Sequence, residues 1–279
     1  MPAHLSGYQE NLTFIHQKTH DAMHYGICLL SVAALRQKPD HKSEMVSQLL
    51  FGECFRVLEQ HREWCMIEHL YDGYKGWLAK NQAFFFDEAR YNKLMNSKRL
   101  ITTTLLAQIT ETGTDSTFTL SAGSDLYADH EGCMNLDGKK YRYSGGTTNT
   151  QDPDRDEMMI HARKFLHTPY LWGGRSAFGL DCSGFVQQVF KLSGKILPRD
   201  ASMQAQEGEP VHLINESVPG DLVFFDNEEG LITHVGLIIE PGMVIHAHGK
   251  VRIDRIDHQG IFDAENKQYT HHLRLIKRM

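Results

Sequence analysis

The stretch Thr168–Phe190 reads "TPYLWGGRSAFGLDCSGFVQQVF". A glycine-rich turn runs into what reads as a helix, and Cys182 stands at the junction between Asp181 and Ser183. An isolated cysteine is most often a buried small hydrophobe. At the first turn of a helix it has a second option, because unpaired backbone N–H groups and the helix dipole favour an anion. A thiol in that position is expected to have a lowered pKa, and the same N–H groups can contribute to an oxyanion hole. Whether Cys182 is a nucleophile depends on what the rest of the chain brings to it.

A base is the first requirement. "THVGLII" (233–239) and "VIHAHG" (244–249) read as two strands joined by the turn "EPGM". An antiparallel hairpin of that kind brings His234 and His246 together, the first as general base and the second as the group that orients it. With 17 histidines in the chain chance pairs are easy, so the reading rests on the whole set. His246 and His248 share a strand face, but no third ligand motif accompanies them and no metal or other cofactor is expected.

Working outward, "DPDRDEMMIHARKFLHT" (152–168) has a capping aspartate, an early proline, acids first and bases last, which predicts a helix. "DLVFFD", "HVGLIIE", "MVIHAHG" and "VRIDRID" read as strands of an antiparallel sheet. Helices segregated from strands make 151–279 an α+β unit. The polar segment "SGGTTNTQDPDRDE" (144–157) leads into it.

The earlier chain is of another kind. Residues 1–23 are polar and read as an arm or short helix. From 24 to 90, "GICLLSVAAL", "CFRVLEQ", "WCMIEHL" and the segment around Trp77 give short strands at intervals that suggest a small barrel. Residues 91–150 continue in the same manner with "LITTTLLAQIT", rich in threonine and branched apolar residues, and read as a second, divergent barrel.

Composition bounds the partners. The 279 residues suit two or three domains. A net charge of −6 argues against nucleic acid. The N-terminus shows no secretory pattern and "YGICLLSVAAL" is too short to span a bilayer. A cytoplasmic monomer without a membrane partner is the expectation. The five cysteines include no C-x-x-C pair, and Cys28, Cys54, Cys65 and Cys133 read as structural thiols in a reduced compartment.

Residues 155–260 resemble the catalytic domain of the NlpC-type, papain-like cysteine peptidases of bacterial cell-wall peptides. The resemblance is carried, in order, by the opening stretch and by "LPRDASMQ", "PGDLVFF", "HVGLII" and "VIHAHG". It implies a Cys182–His234–His246 triad. It also implies that Tyr170 faces the site, that Asp181 and Ser183 contact substrate, and that Ser202 lines the cleft. Asp181 can instead cap the helix. Arg199, and less so Arg175, can meet a substrate carboxylate or serve in a structural ion pair. The segments "SEMVSQLLFGECFRVLE" and "GYKGWL" resemble a bacterial SH3 domain. Two such domains ahead of this peptidase resemble one subgroup, the γ-D-glutamyl-L-diamino acid endopeptidases (dipeptidyl-peptidase VI). That likeness implies a murein stem peptide with free N-terminal L-Ala as substrate, and release of L-Ala-γ-D-Glu for recycling. It further implies that the first barrel supplies an acid, matched by Glu53, and a phenol, Tyr74 or Tyr71. The rival readings are an exported wall hydrolase anchored by its SH3 domains and a non-catalytic module that binds wall peptide or glycan.

Overall fold

The computed structural model describes residues 24–114, 116–128, 134–136, 139–149 and 154–279. The expected N-terminal arm at 1–23 and Cys133 lie outside the described residues.

The first barrel is made of β1 (Tyr25–Ile27), β2 (Val32–Arg36), β3 (Met45–Leu50), β4 (Cys54–His61), β5 (Trp64–His69), β6 (Lys75–Ala79) and β7 (Phe84–Phe86), in the order β3-β2-β6-β5-β4-β1-β7. The second uses β8 (Lys98–Thr102), β9 (Leu106–Thr112), β10 (Ser116–Ser121), β11 (Asp125–Ala128), β12 (Met134–Leu136), β13 (Lys139–Tyr143) and β14 (Thr147–Thr148). Its order, β10-β9-β13-β12-β11-β8-β14, is the same topology seven strands later. Period-two alternation explains these strands: in β5, Cys65, Ile67 and His69 are buried while Met66 and Glu68 between them are partly exposed. The stretch 26–35, expected as one strand, is split into β1 and β2 at Cys28, whose N–H and C=O bond Glu53 and Gly52 instead of a strand partner.

Helix α1 (Glu88–Met95), capped by Asp87, links the barrels and spans the expected boundary at 90. The two barrels share apolar core: Ile27, Phe51 and Phe86 of the first pack with Ile109, Leu120, Leu126 and Tyr141 of the second.

The C-terminal unit begins with α2 (Arg155–Lys164), capped by Asp154, and continues through the short hairpin β15 (Arg175–Ser176) and β16 (Gly179–Leu180) into α3 (Cys182–Leu192). After α4 (Ala201–Gln204) come β17 (Glu209–Val211), β18 (Leu222–Asp226), β19 (Ile232–Glu240), β20 (Met243–His248), β21 (Lys250–Ile256), β22 (Gly260–Asp263) and β23 (Gln268–Arg278). Strands β18 to β23 close into a six-stranded barrel because β23 pairs with both β18 and β22. Every residue of α3 is buried, and Phe185, Val186, Val189 and Phe190 share one core with Val235 and Leu237 of β19 and Ile245 of β20. That packing sets the start of α3 against the histidine-bearing strands. Among the described residues no helix is long and apolar enough to cross a membrane.

Candidate active site

The site is built around the N-terminus of α3. Asp181 caps the helix, its Oδ1 accepting from the Gly184 N–H at 2.7 Å and its Oδ2 from the Gly173 N–H at 2.9 Å. The glycine-rich turn is thereby tied to the helix start. Gly184 is required by close approach, since a Cβ there would lie 2.1 Å from the Gly174 carbonyl oxygen. Cys182 is left with 7% of its surface exposed, at the floor of a cleft of about 600 Å³.

The barrel side of the cleft is lined by Ile232 and Thr233 of β19, with His234 buried just beyond them in the chain. His234 on β19 and His246 on β20 are buried, and His234 Nε2 lies 2.8 Å from His246 Nδ1. The β19–β20 hairpin sets Gly236 opposite His246, so the two imidazoles meet along a diagonal. His246 Nε2 lies 2.9 Å from Asp254 Oδ2 on β21. Sequence reasoning missed Asp254. The alternation in "VRIDRID" carries the signal, because Arg252 pairs across from His246 and Asp254 is its next neighbour on the same face. His271 on β23 was also missed; its ring stacks on His234 at 4.1 Å.

The thiol does not behave as the helix terminus suggested. Burial, with the Asp181 carboxylate adding to it, pushes Cys182 up to about 12. The Val235 and Ser183 N–H groups bond the sulfur and pull the other way without prevailing. Burial likewise holds His234 well below its ordinary value, helped by His246 and His271. At neutral pH the site therefore holds a neutral thiol beside a neutral imidazole. A thiol of this kind can give its proton to a neighbouring neutral imidazole by general-base transfer, and the Val235 and Ser183 N–H groups on the sulfur favour its anionic form.

The remaining candidates divide. Ser183 and Ser202 line the cleft, as does Tyr74 from the first barrel. Tyr170 is half-buried and close enough to Cys182 for the thiol to act on its hydroxyl, which is pushed up to about 12 by burial first and by that neighbour second. Arg199 also reaches the cleft, but its guanidinium is taken up internally. It bonds Asp181 Oδ1 at 3.0 Å and Oδ2 at 2.5 Å, Ser183 Oγ at 2.9 Å and Ser47 Oγ at 3.2 Å. Of its two readings the ion pair is the one present, and Asp181 is held by it and by the helix cap while still lining the cleft beside Cys182.

Glu53 is a correction. It is 1% exposed and lies outside the cleft lining. Arg175 Nη1 reaches its Oε2 at 3.0 Å, Lys191 Nζ its Oε1 at 2.6 Å, and His69 Nε2 its Oε2 at 3.3 Å. Burial would raise this carboxyl, but the three cations hold it well below the usual range. Its partners are structural, and no face remains for substrate. Tyr71 lies over Lys191 and Arg175 in the same cluster, not in the cleft. The acids that do line the cleft are Glu44 of the first barrel, Asp181 and Asp200. Glu44 accepts from the Trp172 indole N–H at 2.6 Å, and Tyr74 bonds Asp200, whose carboxyl burial raises. Sequence reasoning chose Glu53 and missed Glu44, because only the packing of the barrel on α3 decides which acid is covered.

Comparisons with known proteins agree with this architecture. Residues 167–273 match the NlpC/P60 family model, and residues 35–82 match the bacterial dipeptidyl-peptidase Sh3 domain. A γ-D-glutamyl-L-lysine dipeptidyl-peptidase of Bacillus subtilis is 51% identical over 85 residues, which is 30% of this chain and 28% of that one. The chain thus aligns with under a third of that relative's length. Dipeptidyl-peptidase 6 of Lysinibacillus sphaericus is 26% identical over 84% of this chain and 92% of its own. The solved structure of an NlpC/P60 family protein from Bacillus cereus has a TM-score of 0.78 at 21% identity, covering 91% of this chain and 99% of that one.

Proposed function

We propose that this chain, an NlpC/P60 cysteine peptidase domain behind a bacterial dipeptidyl-peptidase SH3 domain, cleaves the amide between γ-D-Glu and the diamino acid of cell-wall stem peptides whose N-terminal L-Ala is free. Cys182 Sγ attacks the carbonyl carbon while His234 takes the thiol proton. His234 returns that proton to the leaving amine of the diamino acid. Water then hydrolyses the thioester and regenerates the thiol, releasing L-Ala-γ-D-Glu.

The observation that carries the substrate class is the first-barrel wall of the cleft. Gln37, Glu44, Val46 and Tyr74 of the first barrel line the cleft together with Asp181 and Cys182, and Glu44 and Asp200 add carboxyls to that lining. A wall bars a longer chain, and carboxylates favour a cationic amine over a capped one. A free L-Ala amine exists only on stem peptide already detached from its sugar. A recycling role in the cytoplasm follows as part of the same proposal.

The test uses two peptides, L-Ala-γ-D-Glu-meso-diaminopimelate and its N-acetylated form, followed by mass spectrometry. Cutting of the free peptide alone is expected, with release of L-Ala-γ-D-Glu and loss of turnover in Cys182→Ala. Equal cutting of both would mean an open cleft and an enzyme of intact wall. Retention of turnover in Cys182→Ala would remove the nucleophile.

A further inference from the structure

We infer that Asp254 is a positioning residue that sets the tautomers of His246 and His234, leaving His234 Nδ1 bare to receive the thiol proton. The inference rests on Cys182 and His234 being nucleophile and base. It follows from the order of three polar contacts. An ionised carboxylate only accepts hydrogen bonds, so Asp254 Oδ2, 2.9 Å from His246 Nε2, requires a proton on that nitrogen. A neutral imidazole carries one N–H, so His246 Nδ1 is a lone pair. That lone pair lies 2.8 Å from His234 Nε2, which must then be the donor. The proton of His234 is thus fixed on Nε2, and Nδ1 is the free base. His234 immediately precedes Val235, whose N–H bonds the sulfur.

Asp254 is kept ionised by its surroundings. Arg252 Nε reaches its Oδ2 at 2.6 Å and Nη2 its Oδ1 at 2.8 Å. Arg252 in turn approaches Asp263 on β22 at 3.9 Å. The other groups facing the pair do not compete for its nitrogens. His271 from β23 stacks on His234, and its own Nδ1 lies 2.9 Å from Thr270 Oγ1. His248 stands beside His246 with centroids 6.3 Å apart. A neutral thiol makes the tautomer decisive, because an imidazole with its proton on Nδ1 cannot accept another there.

The test is ¹⁵N spectroscopy of histidine-labelled full-length Cys182→Ala near neutral pH, with His234 and His246 assigned by single substitution. The Cys182→Ala background removes the thiol's own proton from the comparison. Both rings are expected to be protonated on Nε2 and bare on Nδ1, and adding Asp254→Ala should bring Nδ1–H signal into His234. A His234 already protonated on Nδ1 overturns the inference, even if the double variant fails to fold. An unaltered His234 pattern in a folded double variant also overturns it, whatever the reaction rate does. In the Cys182-containing chain, Asp254→Ala should slow alkylation of Cys182 by iodoacetamide at least about tenfold. Equal alkylation rates in folded protein count against it in the same way. Neither readout involves a peptide, so a wrong substrate would leave this inference standing.

Discussion

The turn between β3 and β4 in the first barrel and the turn between β10 and β11 in the second have the same backbone and different neighbours. In the first, Cys28 N–H donates to Glu53 O at 3.0 Å and Gly52 N–H to Cys28 O at 2.8 Å. In the second, Thr102 N–H donates to Ser124 O at 2.9 Å and Gly123 N–H to Thr102 O at 2.8 Å. Gly52 and Gly123 have φ of 80° and 88°. The residue before each glycine points into the following unit: Phe51 joins the core of the second barrel, and Ala122 joins the core of the C-terminal unit. One local geometry thus docks each barrel on the next. The following position differs most. Glu53 reaches past the second barrel to Arg175 and Lys191 of the C-terminal unit, whereas Ser124 Oγ only donates to Ser121 O at 2.8 Å. Lys191 also pairs with Asp125 of the second barrel at 3.0 Å, so one cation on the cysteine's helix ties acids from both turns. What repeats is the backbone; the side chain is chosen by what it must meet.

Breaking that tie should have the largest effect. Glu53→Ala leaves Arg175, Lys191 and His69 buried without their shared anion, and a loss of about 3–5 kcal/mol is expected. Chemical denaturation monitored by tryptophan fluorescence measures it. A loss below about 1 kcal/mol would show that the cluster is hydrated and behaves like a surface pair.

Acid should act through the same cluster. The folded pKa values of Glu53 and Asp72 lie below their unfolded ones, Asp72 because His69 and Arg175 outweigh its burial. Their contribution is therefore complete above about pH 4.3, the unfolded carboxyl value, and is lost as pH falls towards the folded values. His69 has the opposite sign. Glu53 and Asp72 overcome its burial and raise it above 6.5, so its share is present below about pH 6.5 and is lost as pH rises through the raised value. Denaturation midpoints from about pH 6 down to about pH 3 should fall more steeply for the wild type than for Glu53→Ala.

The paired glycines sharpen the comparison further. Gly52→Ala and Gly123→Ala share a left-handed backbone cost of about 1–2 kcal/mol. At Gly52 the new Cβ would lie 1.8 Å from the Asp125 carbonyl oxygen of the second barrel. At Gly123 it would meet the Gln188 side-chain oxygen at 1.9 Å, the far end of a flexible group that can swing away. Gly52→Ala should therefore cost about 1–3 kcal/mol more, as overpacking against fixed backbone does. Equal losses would mean that the barrels slide on each other freely. The smallest effect belongs to Ser124→Ala, about 1 kcal/mol for one buried hydrogen bond, read by the same denaturation.

The parts of this molecule legible in the sequence are those set by short-range rules. The helix starting at Cys182 follows from an aspartate cap and apolar spacing, and the meeting of His234 and His246 follows from two alternating strands around a four-residue turn. The first barrel was legible from its strand intervals. A second, divergent barrel of the same type was expected as well; its pairing strand for strand was not, because "LLFGECF" and "LSAGSDL" preserve a backbone and little else.

The sequence by itself determined the setting of Cys182 at a helix start and the meeting of the two histidines, since each depends on contacts within a helix turn or a hairpin. Tertiary structure alone decided the charge state of the thiol and the fate of the acids. Cys182 is raised by the closing of α3 against β19, and Glu53 is covered by Arg175 and Lys191, 122 and 138 residues away. Glu44, nine positions earlier in the chain, is left in the cleft. A carboxyl's pKa and its access to substrate depend on which distant groups pack around it, and residue type and local period carry no record of that.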